Sequence, residues 1–335
     1  MRRLCNLAFK ISKKIYTTDI CIEGVKLRIN SHDPILQQVF TDALTHHETT
    51  LEKIDFHINI WNPNSFDFAK PSMPADLARR IIKRKPNLSL NENILIDYDP
   101  AAQLISLIYP ELKLIDVCIS DLASMHPGIV TDPLRGFLSW LFKQHDKHLI
   151  HSASVCVEAG AALFLGLSGA GKSSTALRCC QGGMHYIGDD TCGISLGEVP
   201  YVFNLYGTAK VVNNDRNFFN TIPNIRMPKY IHKRPSKSLL SVAASNEISI
   251  AYRSNIKVLV LVDKSIQTGI AVKVLPQDIV KMVALSSYPF MPGQGVPLLS
   301  ALRNLVDRIP AIRISLNEDQ PKTTQIIKKA IECRF

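Results

Sequence analysis

The sequence has no apolar run of the roughly 18 to 20 residues that a membrane helix requires. Its longest apolar stretches, such as 258–262 and 161–165, are strand-sized, and a protein without a transmembrane segment is expected. No C-x-x-C pair occurs, and no histidine stands near a cysteine at zinc-site spacing. The eight cysteines, Cys5, Cys21, Cys118, Cys156, Cys179, Cys180, Cys192 and Cys333, therefore read as free thiols, mostly core filler, in a reducing compartment. Glycine and proline number only 16 and 19 in 335 residues, which excludes collagen-like and low-complexity classes. No internal repeat is present. Helix-turn-helix, zinc and aromatic-stacking motifs are missing, so nucleic acid is not an expected partner. Acidic residues are in deficit: 29 against 39 Lys and Arg leave a net charge of +10. Such a balance favours polyanions in general, nucleotide phosphates and acidic peptides included, and an undedicated basic surface fits equally. The basic start, Met1-Arg-Arg3, leads into an apolar run that Asn6 interrupts and Lys10 closes. That run is too short for a signal-peptide core, and a cytoplasmic protein is expected.

A chain of 335 residues is long for one hydrophobic core and natural for two domains. Residues 1–128 read as a smaller mixed α+β domain. Val25-Lys-Leu-Arg-Ile29 and Phe56-His-Ile-Asn-Ile60 alternate apolar and polar residues, the period of half-buried strands. Segments 94–98 and 104–108 flank Asp99-Pro-Ala-Ala102 and predict a hairpin. Segment 34–50 predicts a helix with Asp33 as its N-cap. Segment 70–86, rich in Pro, Arg and Lys, has no ordered pattern. Residues 129–147 read as a connecting helix. Asp132 supplies the cap, Pro133 the first helical position, and Leu134, Phe137, Leu138 and Leu141 the helical spacing, to about residue 146. Over 148–335 short strands alternate with loops and helices. Strands are expected at 161–165, 184–187, 199–203, 257–262 and 271–275, and helices at 173–180 and 323–332. The expected fold class is α/β.

Gly166-Leu-Ser168-Gly169-Ala170-Gly171-Lys172-Ser173 matches G-x-x-x-x-G-K-[ST] without a mismatch. Glycines let the backbone turn tightly around a phosphate with several N–H groups pointing inward. A helix beginning near Lys172 adds its positive end. Lys172 can reach the β- and γ-phosphates, and the Ser173 hydroxyl can ligate Mg²⁺. A chance match is opposed by context, because a strand-like run precedes the loop and a helix-like run from Ser174 follows it. Gly166, Ser168, Gly169, Ala170, Gly171, Lys172, Ser173 and Ser174 are the expected contacts of a nucleoside triphosphate.

Three features narrow the reaction. His151 lies 15 residues before the loop, Asp189-Asp190 follows a short strand after it, and Gln181-Gly-Gly183 turns the chain between. The arrangement over 151–190 resembles the catalytic domain of the HPr kinase/phosphorylase family. There a His precedes the phosphate loop, and a Gly-rich turn, a short strand and an Asp-Asp pair follow the loop helix. The family's P-loop architecture is related to that of phosphoenolpyruvate carboxykinase. The resemblance extends loosely over 148–315 and is closest to HprK-related kinases, some of them from lasso-peptide gene clusters. One departure is plain: the Glu-x-Arg-Gly signature of HPr kinases proper is matched only by Asn204-Leu-Tyr-Gly207, without its Glu and Arg. HPr itself and the reverse, phosphorylase activity are therefore not expected.

The resemblance implies a P-loop core of the HPr kinase/phosphoenolpyruvate carboxykinase type that uses ATP and Mg²⁺. It implies Asp189 as the base, Asp190 with Ser173 at the metal, and His151 near the γ-phosphate or orienting the acids. On residues alone the acid pair also reads as a solvated turn, and His151 as structural. Val258-Leu-Val-Leu-Val-Asp263 resembles a Walker B strand, so Asp263 is an alternative metal ligand; a buried strand with a solvated terminal Asp fits too. Lys210 is the expected catalytic cation, with Arg226, Lys229, Lys233, Arg234, Lys237 and Arg253 as other positive charges. Segments 224–238 and 289–297 read as loops, either at the site or as ordinary connectors. The expected reaction is transfer of a γ-phosphoryl group to an alcohol, a serine of a peptide or protein, with a ribosomally made precursor peptide as one candidate. A small-molecule acceptor (free serine or a sugar) and a nucleotide-dependent regulatory protein without transfer are the alternatives. HPr kinases form hexamers; a homo-oligomer is compatible with the resemblance, and no residue points to one.

Overall fold

The computed structural model describes residues 1–66, 88–91, 94–99, 104–120, 127–212, 237–263, 272–273, 295–314 and 320–332. The chain is mixed α/β with several sheets. Its contacts divide the described residues into two compact units, one ending at Leu138 and the other starting at Ser139. No described helix is long and apolar enough to cross a membrane. Seven cysteines are described, all unbridged and all but Cys21 buried; Cys333 lies outside the described residues.

In the first unit, helix α1 (Arg2–Ile11) precedes strands β1 (Tyr16–Ile22) and β2 (Val25–Ser31), helix α2 (Pro34–Thr41) and strands β3 (Phe56–Trp61), β4 (Leu88–Asn91), β5 (Ile94–Asp99), β6 (Leu104–Tyr109) and β7 (Leu114–Ile119). The sheet order is β1-β2-β3-β7-β6-β5-β4. The β2–β3 and β3–β7 pairs are parallel. Alternation in β2 puts Val25, Leu27, Ile29 and Ser31 inside, and β5–β6 is the antiparallel pair expected of a hairpin. The Asp33 carboxylate accepts from the N–H groups of Ile35 at 2.7 Å and Leu36 at 3.3 Å, as an N-cap does. The expected helix 34–50 is shorter, however. It ends at Thr41 and tightens to a 3-10 helix over Asp42–His47. Beyond it the backbone is drawn to β1, where Thr49 N–H bonds Asp19 O at 3.1 Å.

The single helix expected from Pro133 is also corrected. Two helices, α3 (Pro127–Thr131) and α4 (Arg135–Lys143), stand where one was expected. Leu134 takes φ +59° between them, a conformation no helix contains, so Pro133 sits in the connecting turn.

The second unit contains β8 (Lys147–Ile150), β9 (Ala153–Val157), β10 (Gly160–Leu165), α5 (Lys172–Gln181), β11 (His185–Gly188), β12 (Cys192–Ser195), β13 (Tyr201–Phe203), β14 (Thr208–Val212), β15 (Lys237–Ser241), β16 (Arg253–Val262), β17 (Val272–Lys273), α6 (Gly295–Arg308), β18 (Ala311–Ile314) and α7 (Gln320–Glu332). Gly295-Val-Pro297 opens α6 rather than lying in a loop, since proline is compatible with a first helical turn; 289–294 lies outside the described residues. Of the expected strand 271–275, only Val272–Lys273 is described. Of the basic segment 224–238, only Lys237 and Ser238 are described, so the calls on Arg226, Lys229, Lys233 and Arg234 lie outside it, as does segment 70–86.

Strand β16 organises this unit. Its first residues pair antiparallel with β13. Its later ones run parallel to β10 on one side and β18 on the other. The strand path β11-β9-β10-β16-β13-β12-β8 thus has two limbs joined through β16. Because β10 is buried at every residue, both its faces carry core, as parallel strands with two covered faces do. Ala162 and Phe164 join Val258, Val260, Leu177 and Ile327 on the face of α5 and α7. Ala161, Leu163 and Leu165 join Ile150, Ile194, Val202 and Leu305 on the other.

Candidate functional site

Strand β10 ends at Leu165 and α5 begins at Lys172, with the glycine loop between. Gly166 has φ +147°, Gly169 +79° and Gly171 +106°, all in the region that favours glycine. At Gly166 space also decides: a Cβ would stand 2.6 Å from the carbonyl oxygen of Val262. Leu167, Ser168 and Gly169 are exposed, Ala170 is buried, and Ser174 is buried within α5. The loop is therefore pinned at its base by β16 and open at its crest.

Lys172 is buried. Its Nζ donates to Gly166 O at 2.8 Å and Leu167 O at 3.2 Å, and lies 3.1 Å from His151 Nε2. On the other edge of the ring, His151 Nδ1 lies 2.8 Å from the Asp190 carbonyl oxygen and 3.3 Å from Asp190 Oδ1. A carbonyl oxygen only accepts and an ammonium only donates. The imidazole is therefore neutral, with its proton on Nδ1. Burial, then the Lys172 charge, push its pKa down to about 4, in agreement with that state.

The two links between β-limbs bring these residues together. His151-Ser152 joins β8 to β9, and Asp189, Asp190 and Thr191 join β11 to β12. Asp190 takes φ +64°, which Asp tolerates better than most residues. Asp189 is buried; its Oδ2 accepts from the Lys210 backbone N–H at 2.9 Å. Its Oδ1 is buried without a hydrogen-bond partner among the described residues. Burial, then the Asp190 charge, raise its pKa, while the Lys210 N–H and the nearby Ser173 hydroxyl offset part of the rise. Asp190, about one-fifth exposed, ion-pairs through Oδ2 with Lys210 Nζ.

His151, Lys172, Ser173, Asp189, Asp190 and Lys210 thus form one linked cluster beside the glycine loop. Arg253 is elsewhere: it begins β16, at the end opposite Asp263, and lies over the Tyr201 ring. Asp263 follows β16 directly and ion-pairs with Arg313 of β18.

Two polar residues carry roles that spacing did not indicate. Asn204, in the segment that lacks the Glu and Arg, is buried and donates to the carbonyl oxygens of Ile187 and, at 3.3 Å, Tyr206. It fixes the strand that leads into the acid pair. Arg313 is the single charge in Ala311-Ile-Arg-Ile314; a cation within so short an apolar strand was the available signal.

No family model matches the chain. No curated protein matches it either. Among solved structures it is similar to the HPr(Ser) kinase/phosphatase from Coxiella burnetii, with a TM-score of 0.32 and 8% identity over 54% of this chain and 95% of that one. So weak an overlap carries no inference about individual residues, and the site stands on its own geometry.

A divalent cation can be tested against the donors. No cluster of three or more His, Cys, Asp or Glu suited to a metal is found among the described residues. Mg²⁺ takes one or two protein oxygens and completes its shell with phosphates and water. The hydroxyl of Ser173 and the carboxylate of Asp190 are two oxygen donors of that kind, and the buried Oδ1 of Asp189 is left beside them.

Proposed function

We propose that the second unit is an ATP- and Mg²⁺-dependent kinase that transfers the γ-phosphoryl group to an alcohol, a serine of a peptide or protein. One observation carries the reading. The G-x-x-x-x-G-K-S segment lies between a buried strand and a helix, with a buried carboxylate, a second acid, a neutral histidine and two lysines converging beside it. The resemblance of 151–190 to HPr kinases supports the same reaction.

The glycine-loop N–H groups and the N-terminus of α5 receive the phosphates. Lys172 exchanges its loop carbonyls and His151 for phosphate oxygens. Ser173 and Asp190 would hold the metal, which would neutralise charge on the transferring group. Asp189 Oδ1 accepts the proton of the acceptor hydroxyl as its oxygen bonds to the γ-phosphorus and the bond to the ADP leaving oxygen breaks. A raised pKa suits a carboxylate to that task. Lys210 keeps Asp190 charged-paired and places its own N–H on Asp189, so one residue orients both acids.

The test is transfer from labelled ATP with Mg²⁺ to a pool of Ser-containing peptides and to free serine. Label on peptides is expected, with at least a 10²-fold loss in Asp189→Asn and in Lys172→Ala, the scale of general-base and electrostatic contributions. Label on free serine alone selects a metabolite kinase. ATP hydrolysis unaffected by Asp189→Asn, with no transfer to any acceptor, selects a regulatory nucleotide-binding protein.

A further inference from the structure

We infer that Arg313, held by Asp263, is the nucleoside contact of this site, receiving the base of a triphosphate whose phosphates lie on the glycine loop. The inference rests on the nucleotide-binding reading above and has its own positional support. Strands β10, β16 and β18 are parallel neighbours, and their C-terminal ends lie side by side, Leu165 against Leu261 and Val262 against Ile314. In α/β sheets ligands gather at such ends. The loop touches the end of β16, since a Cβ on Gly166 would meet Val262 O at 2.6 Å. Asp263 is the next residue, and its N–H bonds Ile314 O at 3.1 Å, which ties the end of β16 to that of β18. Arg313 Nη2 bonds Asp263 Oδ2 from this neighbouring strand.

The pair therefore flanks the loop on the side opposite the acids. His151 leads into β9 and Asp189 follows β11, and the near ends of these strands pair beside the end of β10, Ala153 with Phe164 and Gly188 with Ser154, on the edge of β10 away from β16 and β18; the β8 and β12 strands that the same links reach lie on the other limb. A triphosphate with its γ end at the acids has its nucleoside end toward Asp263 and Arg313. The chemistry fits that end of the ligand. A guanidinium is planar and weakly hydrated; it stacks on aromatic rings and donates to ring nitrogens. The Arg313 side chain is 37% exposed, open enough to meet a base, and Asp263 at 20% exposure holds it in place. Asp263 is then a positioning residue, and its partner is the arginine rather than the metal.

The experiment is calorimetric titration of the full chain with Mg²⁺-ATP and with Mg²⁺-tripolyphosphate, which lacks a nucleoside. Wild type, Arg313→Gln, Arg313→Lys and Lys172→Ala are compared, with thermal melts as a check of folding. Both Arg313 variants are expected to weaken ATP about tenfold, the scale of a desolvated cation–ring contact. Their tripolyphosphate binding stays within about twofold of wild type, whereas Lys172→Ala weakens both ligands. Arg313→Lys keeps the charge beside Asp263, so it separates loss of the planar group from loss of the ion pair. Equal weakening of both ligands in the Arg313 variants, or of neither, overturns the inference and leaves the kinase reading intact. A wild-type chain that binds neither ligand overturns the kinase reading, and the inference with it.

Discussion

His151 carries the site's pH dependence. Its folded pKa is depressed to about 4, by burial and then by Lys172, whereas an unfolded histidine titrates near 6.5. The unfolded chain therefore takes up a proton that the folded one refuses. The stability tied to this ring is full above about pH 6.5 and lost as pH falls toward 4. Denaturant unfolding at pH 7.5 and pH 4.5 should show wild type losing about 2.5 kcal/mol more than His151→Gln over that interval. Equal losses would mean that the ring is charged in the folded protein. Five residues of the cluster were legible because each belongs to a motif of fixed spacing: the lysine and serine in the loop signature, the acids after a short strand, the histidine before the loop; Lys210 belongs to no such motif and stood only among several basic residues. Asn204 and Arg313 were not, because each acts across strands whose pairing no local pattern encodes.

The elements around the loop divide by composition. Strands β10 and β16, with Ala161-Ala-Leu-Phe-Leu165 and Val258-Leu-Val-Leu-Val262, announce themselves as continuous apolar runs. Helix α5 follows from the loop. Strands such as β8, Lys147-His-Leu-Ile150, and β14, Thr208-Ala-Lys-Val-Val212, are too short and mixed for a period to emerge, and partners distant in sequence stabilise them. The Asp132-Pro133 start misled for a related reason: the cap chemistry is local, but Leu134 adopts a positive φ that local chemistry does not dictate. The loop glycines should likewise separate. Gly166→Ala meets the Val262 carbonyl and should cost at least about 2 kcal/mol. At Gly169 nothing lies within 4 Å of a Cβ, so Gly169→Ala should cost only the ~1 kcal/mol of backbone strain. Urea midpoints of the two variants check this, and equal losses would show that the contact with β16 does not constrain the loop.

At the scale of the whole molecule, two compact units each hold core residues of their own. Differential scanning calorimetry should resolve two unfolding transitions. Saturating Mg²⁺-ATP should raise only one, by roughly 5–10 °C at a hundredfold excess over Kd. A single transition that moves as a whole would show instead that the units unfold as one. The order of the chain adds a constraint of timing. The strand that feeds the glycine loop ends at residue 165, yet the carbonyl that closes its base belongs to residue 262. During synthesis the loop therefore leaves the ribosome long before the strand it leans on exists. The base of the loop is completed only once the tenth residue of β16 has emerged, so closure of this contact is a late event in the birth of this protein rather than a guide to its early folding.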